Sequence, residues 1–195
     1  MKKVITICLL VVTLLVGGMT MDAKTTKKKG TKKTTRKSTT RKSTLIPDGF
    51  YIIYPVVTYD FAVDNADART TNGNNIRLWE SNFSQAQEWR IDNRNGGIVI
   101  CSSSNPDYVI DNADGNAYNG NNVRLWEKNG SKAQLWYPEE VEPDVYVLRS
   151  ANNRNYVLDF NGGGIFNGNN IQLWEYNGTN AQKWRIEFSG NDYTP

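Results

Sequence analysis

The sequence contains no histidine. That removes imidazole acid–base chemistry, His-containing catalytic triads and His-ligated metal sites. Cysteine is nearly absent: Cys8 and Cys101 are the two. Cys8 lies in an N-terminal apolar run, so removal of that run would leave Cys101 without a partner for an internal disulfide. Cys101 follows the strand-like Ile98-Val99-Ile100, where a small buried hydrophobe is expected. Acid is missing from residues 24–43, which hold ten Lys/Arg. Residues 44–195 reverse this, with eleven Lys/Arg against nineteen Asp/Glu, a net of −8. The overall charge of +3 therefore averages a basic strip and an acidic domain. A chain of 195 residues is one ordinary domain with appendages.

Lys2 and Lys3 precede the apolar run Val4 to Val16, and small residues follow. Residues 1–23 read as a secretory signal, with Gly18 or Ala23 as the last residue removed. An uncleaved anchor is the alternative, because Val4 to Met21 is uncharged over 18 residues. With such a signal a secreted, extracellular protein is expected. Residues 24–45 form a Lys/Arg/Thr/Ser linker with almost nothing to bury, so a disordered tether is expected there. The strip 24–43 is either a solvated spacer or an attractor of anionic polymer or membrane. It has no interleaved aromatics, so specific nucleic-acid recognition is not expected.

The remainder, residues 46–190, repeats itself three times, over about 48–92, 95–140 and 143–188. Asn72-Gly73-Asn74-Asn75-Ile76-Arg77-Leu78-Trp79-Glu80 returns at Asn119 to Glu127 and again at Asn167 to Glu175, steps of 47 and 48 residues. Ala-Gln-x-Trp recurs at Ala86, Ala133 and Ala181 with the same step, and all six Trp fall in these repeats. Each unit has four strand-like runs punctuated by Asn-Gly and Gly. In the third these are Val145–Ser150, Asn155–Phe160, Ile171–Glu175 and Gln182–Glu187. About twelve strands in an all-β fold are expected. A propeller needs about four blades or more, so three units point to threefold closure around one core.

Side chains alternate along a strand, which sorts the recurrent residues into two faces. Trp89, Trp136 and Trp184 read as core, and Gln87, Gln134 and Gln182 as satisfying backbone groups at a turn. Trp79, Trp126 and Trp174 read as outward, near outward Asp64, Asp111 and Asp159. A flat aromatic ring packs against the C–H face of a pyranose, and an ionised carboxylate accepts two hydroxyl hydrogen bonds. An Asp bonded to a nearby turn is the structural alternative.

With both spacings held in every copy, the pattern resembles the ricin B-type lectin repeat. Asp to Trp is fifteen residues, as in Asp159 to Trp174, and Trp to Gln is eight, as in Trp174 to Gln182. The resemblance covers about residues 46–188. It implies a β-trefoil that binds galactose-type sugars or xylan-like polysaccharides. It implies contacts from Asp159, Gln172, Trp174 and Gln182, and from Asp111, Arg124, Trp126, Gln134 and Asp64, Arg77, Trp79, Gln87 in the other two copies. Two departures stand out. Arg77 and Arg124 replace the family's frequent Gln, where they can donate to a hydroxyl or occupy the Asp and close the pocket. Ala86, Ala133 and Ala181 replace a frequent Asn.

The reading that follows is a secreted, non-enzymatic, monomeric carbohydrate-binding protein, its best site in the third repeat. No cofactor and no metal is expected. Several weak sites on one polymer would gain through effective concentration. The competing class is adhesion to polyanions by the basic strip, with the trefoil as a scaffold or protein-binding platform. Glycoside hydrolysis needs a pair of carboxylates close together, whereas the prominent Asp residues lie one per repeat. Asn82, Asn129 and Asn177 each begin an N-glycosylation acceptor, at equivalent turns that the repeat itself explains.

Overall fold

The structure, a computed structural model, describes residues 46–190. The expected signal, 1–23, and basic linker, 24–45, lie outside the described residues. Among the described residues no helix is long and apolar enough to cross a membrane.

Among the described residues twelve strands form, four per repeat. They are β1 Gly49–Pro55, β2 Phe61–Asn65, β3 Asn74–Glu80, β4 Glu88–Arg94, β5 Gly97–Ser102 and β6 Tyr108–Asn112. Then follow β7 Asn121–Glu127, β8 Trp136–Glu142, β9 Val145–Ser150, β10 Tyr156–Phe160, β11 Ile171–Glu175 and β12 Trp184–Phe188. All pairings are antiparallel. The strands β1, β4, β5, β8, β9 and β12 pair in that order, and β12 returns to β1, closing a six-stranded barrel. Closure removes the unpaired edges on which a sheet aggregates. Three hairpins, β2–β3, β6–β7 and β10–β11, join one another through β3–β7, β7–β11 and a bridge from Arg77 to Asn170. This is a β-trefoil. The expected strands of the third repeat differ at their ends: Asn155 lies in the turn before β10, Gln182 belongs to a short 3-10 turn, Asn180–Gln182, and β12 starts at Trp184 and runs on to Phe188.

The core is a threefold arrangement of the second Trp of each repeat. Trp89, Trp136 and Trp184 are fully buried, as expected for the inward face. Each indole N–H donates to a strand carbonyl: Val63 at 3.0 Å, Ile110 at 3.3 Å and Leu158 at 3.1 Å. A buried indole thus keeps its donor satisfied. Ile53, Ile76, Leu78, Leu125, Leu148 and Leu173 pack with them. Cys101 is also fully buried, in a small cluster with Val99 and Val109 outside the main core. Burial pushes its thiol up to about 11, so it stays protonated and inert.

The recurrent Asn-Gly-Asn-Asn is what ties the repeats together. Its first Asn accepts from a backbone N–H of the neighbouring repeat at 2.7 Å: Asn72 from Glu127, Asn119 from Glu175 and Asn167 from Glu80. The Gly has φ of +87°, +84° or +85° and donates its N–H to the neighbour's Leu125, Leu173 or Leu78 carbonyl. Only Gly adopts that turn without cost. The last Asn residues close a ring: Asn75 donates to Asn170 at 2.9 Å, Asn170 to Asn122 at 3.0 Å, and Asn122 to Asn75 at 3.1 Å. Asn75→Ala leaves one donor and one acceptor of this ring unpaired. It should lower unfolding free energy by about 1–3 kcal/mol, seen as a lower urea midpoint at unchanged slope.

Candidate functional site

In each top hairpin the acid faces a fixed partner across the ladder. Asp64 opposes Arg77, Asp111 opposes Arg124 and Asp159 opposes Gln172. The first Trp of the repeat is two residues further along the same face. Alternation therefore brings acid, Arg or Gln, and indole together from two strands.

The acids are less outward than alternation alone suggested. Asp64, Asp111 and Asp159 are only 3%, 3% and 5% exposed, while Trp79, Trp126 and Trp174 are half-buried. The hairpin face is covered at its acid end by the turn that carries the conserved-spacing Gln. Gln87 donates to Asp64 at 3.3 Å and to the Glu80 carbonyl at 2.8 Å, and accepts from the Asn82 N–H at 2.8 Å. Gln134 makes the same three bonds to Asp111, Glu127 and Asn129. Gln182 donates to the Glu175 carbonyl and accepts from the Asn177 N–H. All three Gln side chains are sealed from solvent. Direct contact of Gln87, Gln134 and Gln182 with a sugar is thereby corrected: they hold the turn and aim the acid, as their face implied.

The first two repeats are locked. Arg77 Nε donates to Asp64 at 2.9 Å and its Nη2 to Asp67 at 3.2 Å. Its guanidinium lies 3.9 Å from the Trp79 ring centroid. Arg124 repeats this, with Asp111 at 3.3 Å, Asp114 at 2.9 Å and the Trp126 centroid at 3.9 Å. A guanidinium this close over the indole covers a ring face that a pyranose would use, and it fills acceptor positions on the acid. The second acids sit in left-handed backbone, with φ of +55° at Asp67 and +57° at Asp114. The sequence reading missed both. The signal available was their position three residues after the first acid, in the two repeats that carry Arg.

The third repeat lacks both halves of the lock. Gln172 stands where Arg does elsewhere, and Gly162, φ +63°, stands where the second Asp does. Gln172 Nε2 donates to Asp159 Oδ1 at 2.9 Å. A cavity of about 430 Å³ opens here, lined among others by Asp159, Gln172, Trp174, Asn177, Asn180 and Val57. Burial raises the Asp159 carboxyl above its usual 3.8, and hydrogen bonds from Gln172 and Gln182 offset part of this. Ala181 also lines the cavity, and Asn177 and Asn180 supply amides beside it. A second concavity, about 360 Å³, surrounds Arg124 and Trp126 but is faced by Asp111, Asp114 and Lys132. The Asn of each glycosylation acceptor folds onto its own turn: Asn82, Asn129 and Asn177 accept from Ser84, Ser131 and Thr179 N–H. Among the described residues, no group of three or more His, Cys, Asp or Glu could hold a metal ion.

The sequence model of the family described as ricin-type beta-trefoil lectin domain-like matches residues 44–126, 85–174 and 132–194. A search of curated proteins gave no match. Among solved structures, the fold is similar to the designed 3-fold symmetric protein ThreeFoil (TM-score 0.67, 23% identity, 72% of this chain and 99% of that one). It is similar to an exo-beta-1,3-galactanase from Clostridium thermocellum (TM-score 0.67, 23% identity), where it covers 74% of this chain and 31% of that one. It is also similar to the Macrolepiota procera ricin B-like lectin in complex with lactose (TM-score 0.62, 18% identity, 74% of this chain and 99% of that one).

Proposed function

Because the chain belongs to the ricin-type beta-trefoil lectin domain-like family, we propose that it is a non-enzymatic carbohydrate-binding protein whose working site is the third-repeat cavity. The carrying observation is the coincidence of an unlocked indole and acid in that one repeat. Trp174 has Gln172, not an Arg, two residues before it on its own strand, so it lacks the guanidinium that covers Trp79 and Trp126, and Asp159 with Gln172 offers acceptors and donors for vicinal hydroxyls. The lactose complex of the Macrolepiota procera protein supports a galactose-type ligand. The basic start and apolar run Val4 to Val16 support export, and hence an extracellular glycan.

Trp174→Ala tests this. Stacking contributes about 0.5–1.5 kcal/mol beyond area burial, so glycan affinity should fall about tenfold or more. The variant should unfold at nearly the wild-type temperature. Undiminished binding to a glycan array, or collapse of the fold, would overturn the site.

Acid should weaken binding. The hydroxyl contacts need ionised Asp159, whose pKa burial holds above 3.8. Affinity is therefore full at neutral pH and falls as pH drops through that raised value. The fold responds oppositely. A carboxyl with a raised native pKa binds its proton more tightly in the folded state. Its contribution to stability is thus greatest below 3.8 and declines as pH rises through the native value. Binding lost on acidification is then not unfolding driven by this group. Titrations from neutral pH downward should show a midpoint absent from Asp159→Asn.

A further inference from the structure

Two of the top-hairpin pockets borrow a wall from another repeat, and that wall differs between them. Val57 lines the third-repeat cavity, although it belongs to the first repeat. Asn152, of the third repeat, lines the second-repeat concavity. Val57, Ser104 and Asn152 are equivalent, each seven residues before the acid of its own repeat. The turns carrying them are docked by the same bond. Val56 N–H donates to the Lys183 carbonyl at 2.9 Å, Ser103 to Glu88 at 3.2 Å and Ala151 to Leu135 at 3.0 Å. The wall is thus a built feature of the trefoil, fixed in place by backbone pairing between repeats.

At the unlocked pocket that wall is apolar. Val57 is 49% exposed, so its methyl groups are presented to whatever enters. In the other two repeats the position is Ser or Asn, which would hydrogen-bond a hydroxyl instead. A β-branched side chain held at the rim of a polar cavity prefers an apolar substituent, since it can satisfy no hydroxyl displaced from water. Resting on the assignment of this cavity to sugar, we infer that Val57 is a specificity-determining residue that selects a saccharide carrying a methyl group, either an acetamido or a 6-deoxy substituent.

The test compares matched sugars on the full chain by calorimetric titration: D-galactose with N-acetyl-D-galactosamine and with D-fucose (6-deoxy-D-galactose), and D-glucose with N-acetyl-D-glucosamine. Burying one methyl group favours the substituted member by about fourfold. The pair showing the preference tells acetamido from 6-deoxy. In Val57→Asn, which copies the residue at position 152, the preference should fall toward one. Matched sugars that bind wild type equally, or a preference unchanged in Val57→Asn, would overturn the role of Val57. Binding that remained sensitive to Trp174→Ala would leave the cavity assignment standing in that case. If no sugar of the set bound wild type, the cavity assignment would fall and the inference with it.

Discussion

Gln172→Arg combined with Gly162→Asp abolishes sugar binding and leaves the domain folded. The pair transplants the lock of the first two repeats into the third. Gly162 has φ +63°, close to Asp67 and Asp114, and an added Cβ meets nothing within 4 Å. Asp tolerates that left-handed conformation better than most residues. Arg at 172 would stand opposite Asp159 in the same register as Arg124 opposite Asp111, with Trp174 beside it in place of Trp126. The ligand then loses stacking, about 0.5–1.5 kcal/mol, and hydrogen bonds to a charged acceptor, about 1.5–3 kcal/mol. Affinity should drop about 30-fold or more. The exposed half of the added pairing, copied from Arg124–Asp114, shifts stability by about 1 kcal/mol or less, and the buried half copies a pair that the first two repeats already hold. Calorimetric titration and thermal unfolding of the double variant check both halves. Retained affinity would show that the Arg–Asp pairs of the first two repeats do not close their sites.

Trp184→Ala has the opposite signature. Its indole is fully buried, lies edge-on to Phe160 at 5.7 Å and bonds the Leu158 carbonyl. Removing such a side chain costs about 3–5 kcal/mol through lost transfer energy and the cavity left behind. Against a total of about 5–15 kcal/mol, that brings a domain of this size near unfolding. Trp174→Ala removes a ring of the same size from a half-buried position and should cost far less. Chemical denaturation of the two variants separates them. Equal losses would mean that the two Trp of a repeat do not divide between core and surface.

The sequence exposed that division because alternation along Ile171-Gln172-Leu173-Trp174 and Gln182-Lys183-Trp184 requires only a period of two. The same period gave the face of Asp159 but not its cover, since burial depends on which turn folds over the hairpin. That is why the acids read as outward and are nearly sealed. Asn75, Asn122 and Asn170 were visible as repeats, yet their ring needs three strands brought to one axis, which no local pattern specifies. Asp67, Asp114 and Gly162 were overlooked for a related reason. Each looks like an ordinary turn residue until the guanidinium on the neighbouring strand is seen to reach it. Val57 lies still further from recognition, because it serves a repeat other than its own.

The third-repeat assignment is tested most directly by following the six indole N–H signals by NMR while the full chain is titrated with a bound sugar. Trp174 should shift with a one-to-one stoichiometry, while Trp79 and Trp126, under their arginines, and the three core indoles hold still. Comparable shifts at Trp79, Trp126 and Trp174, saturating at three sugars per chain, would contradict it.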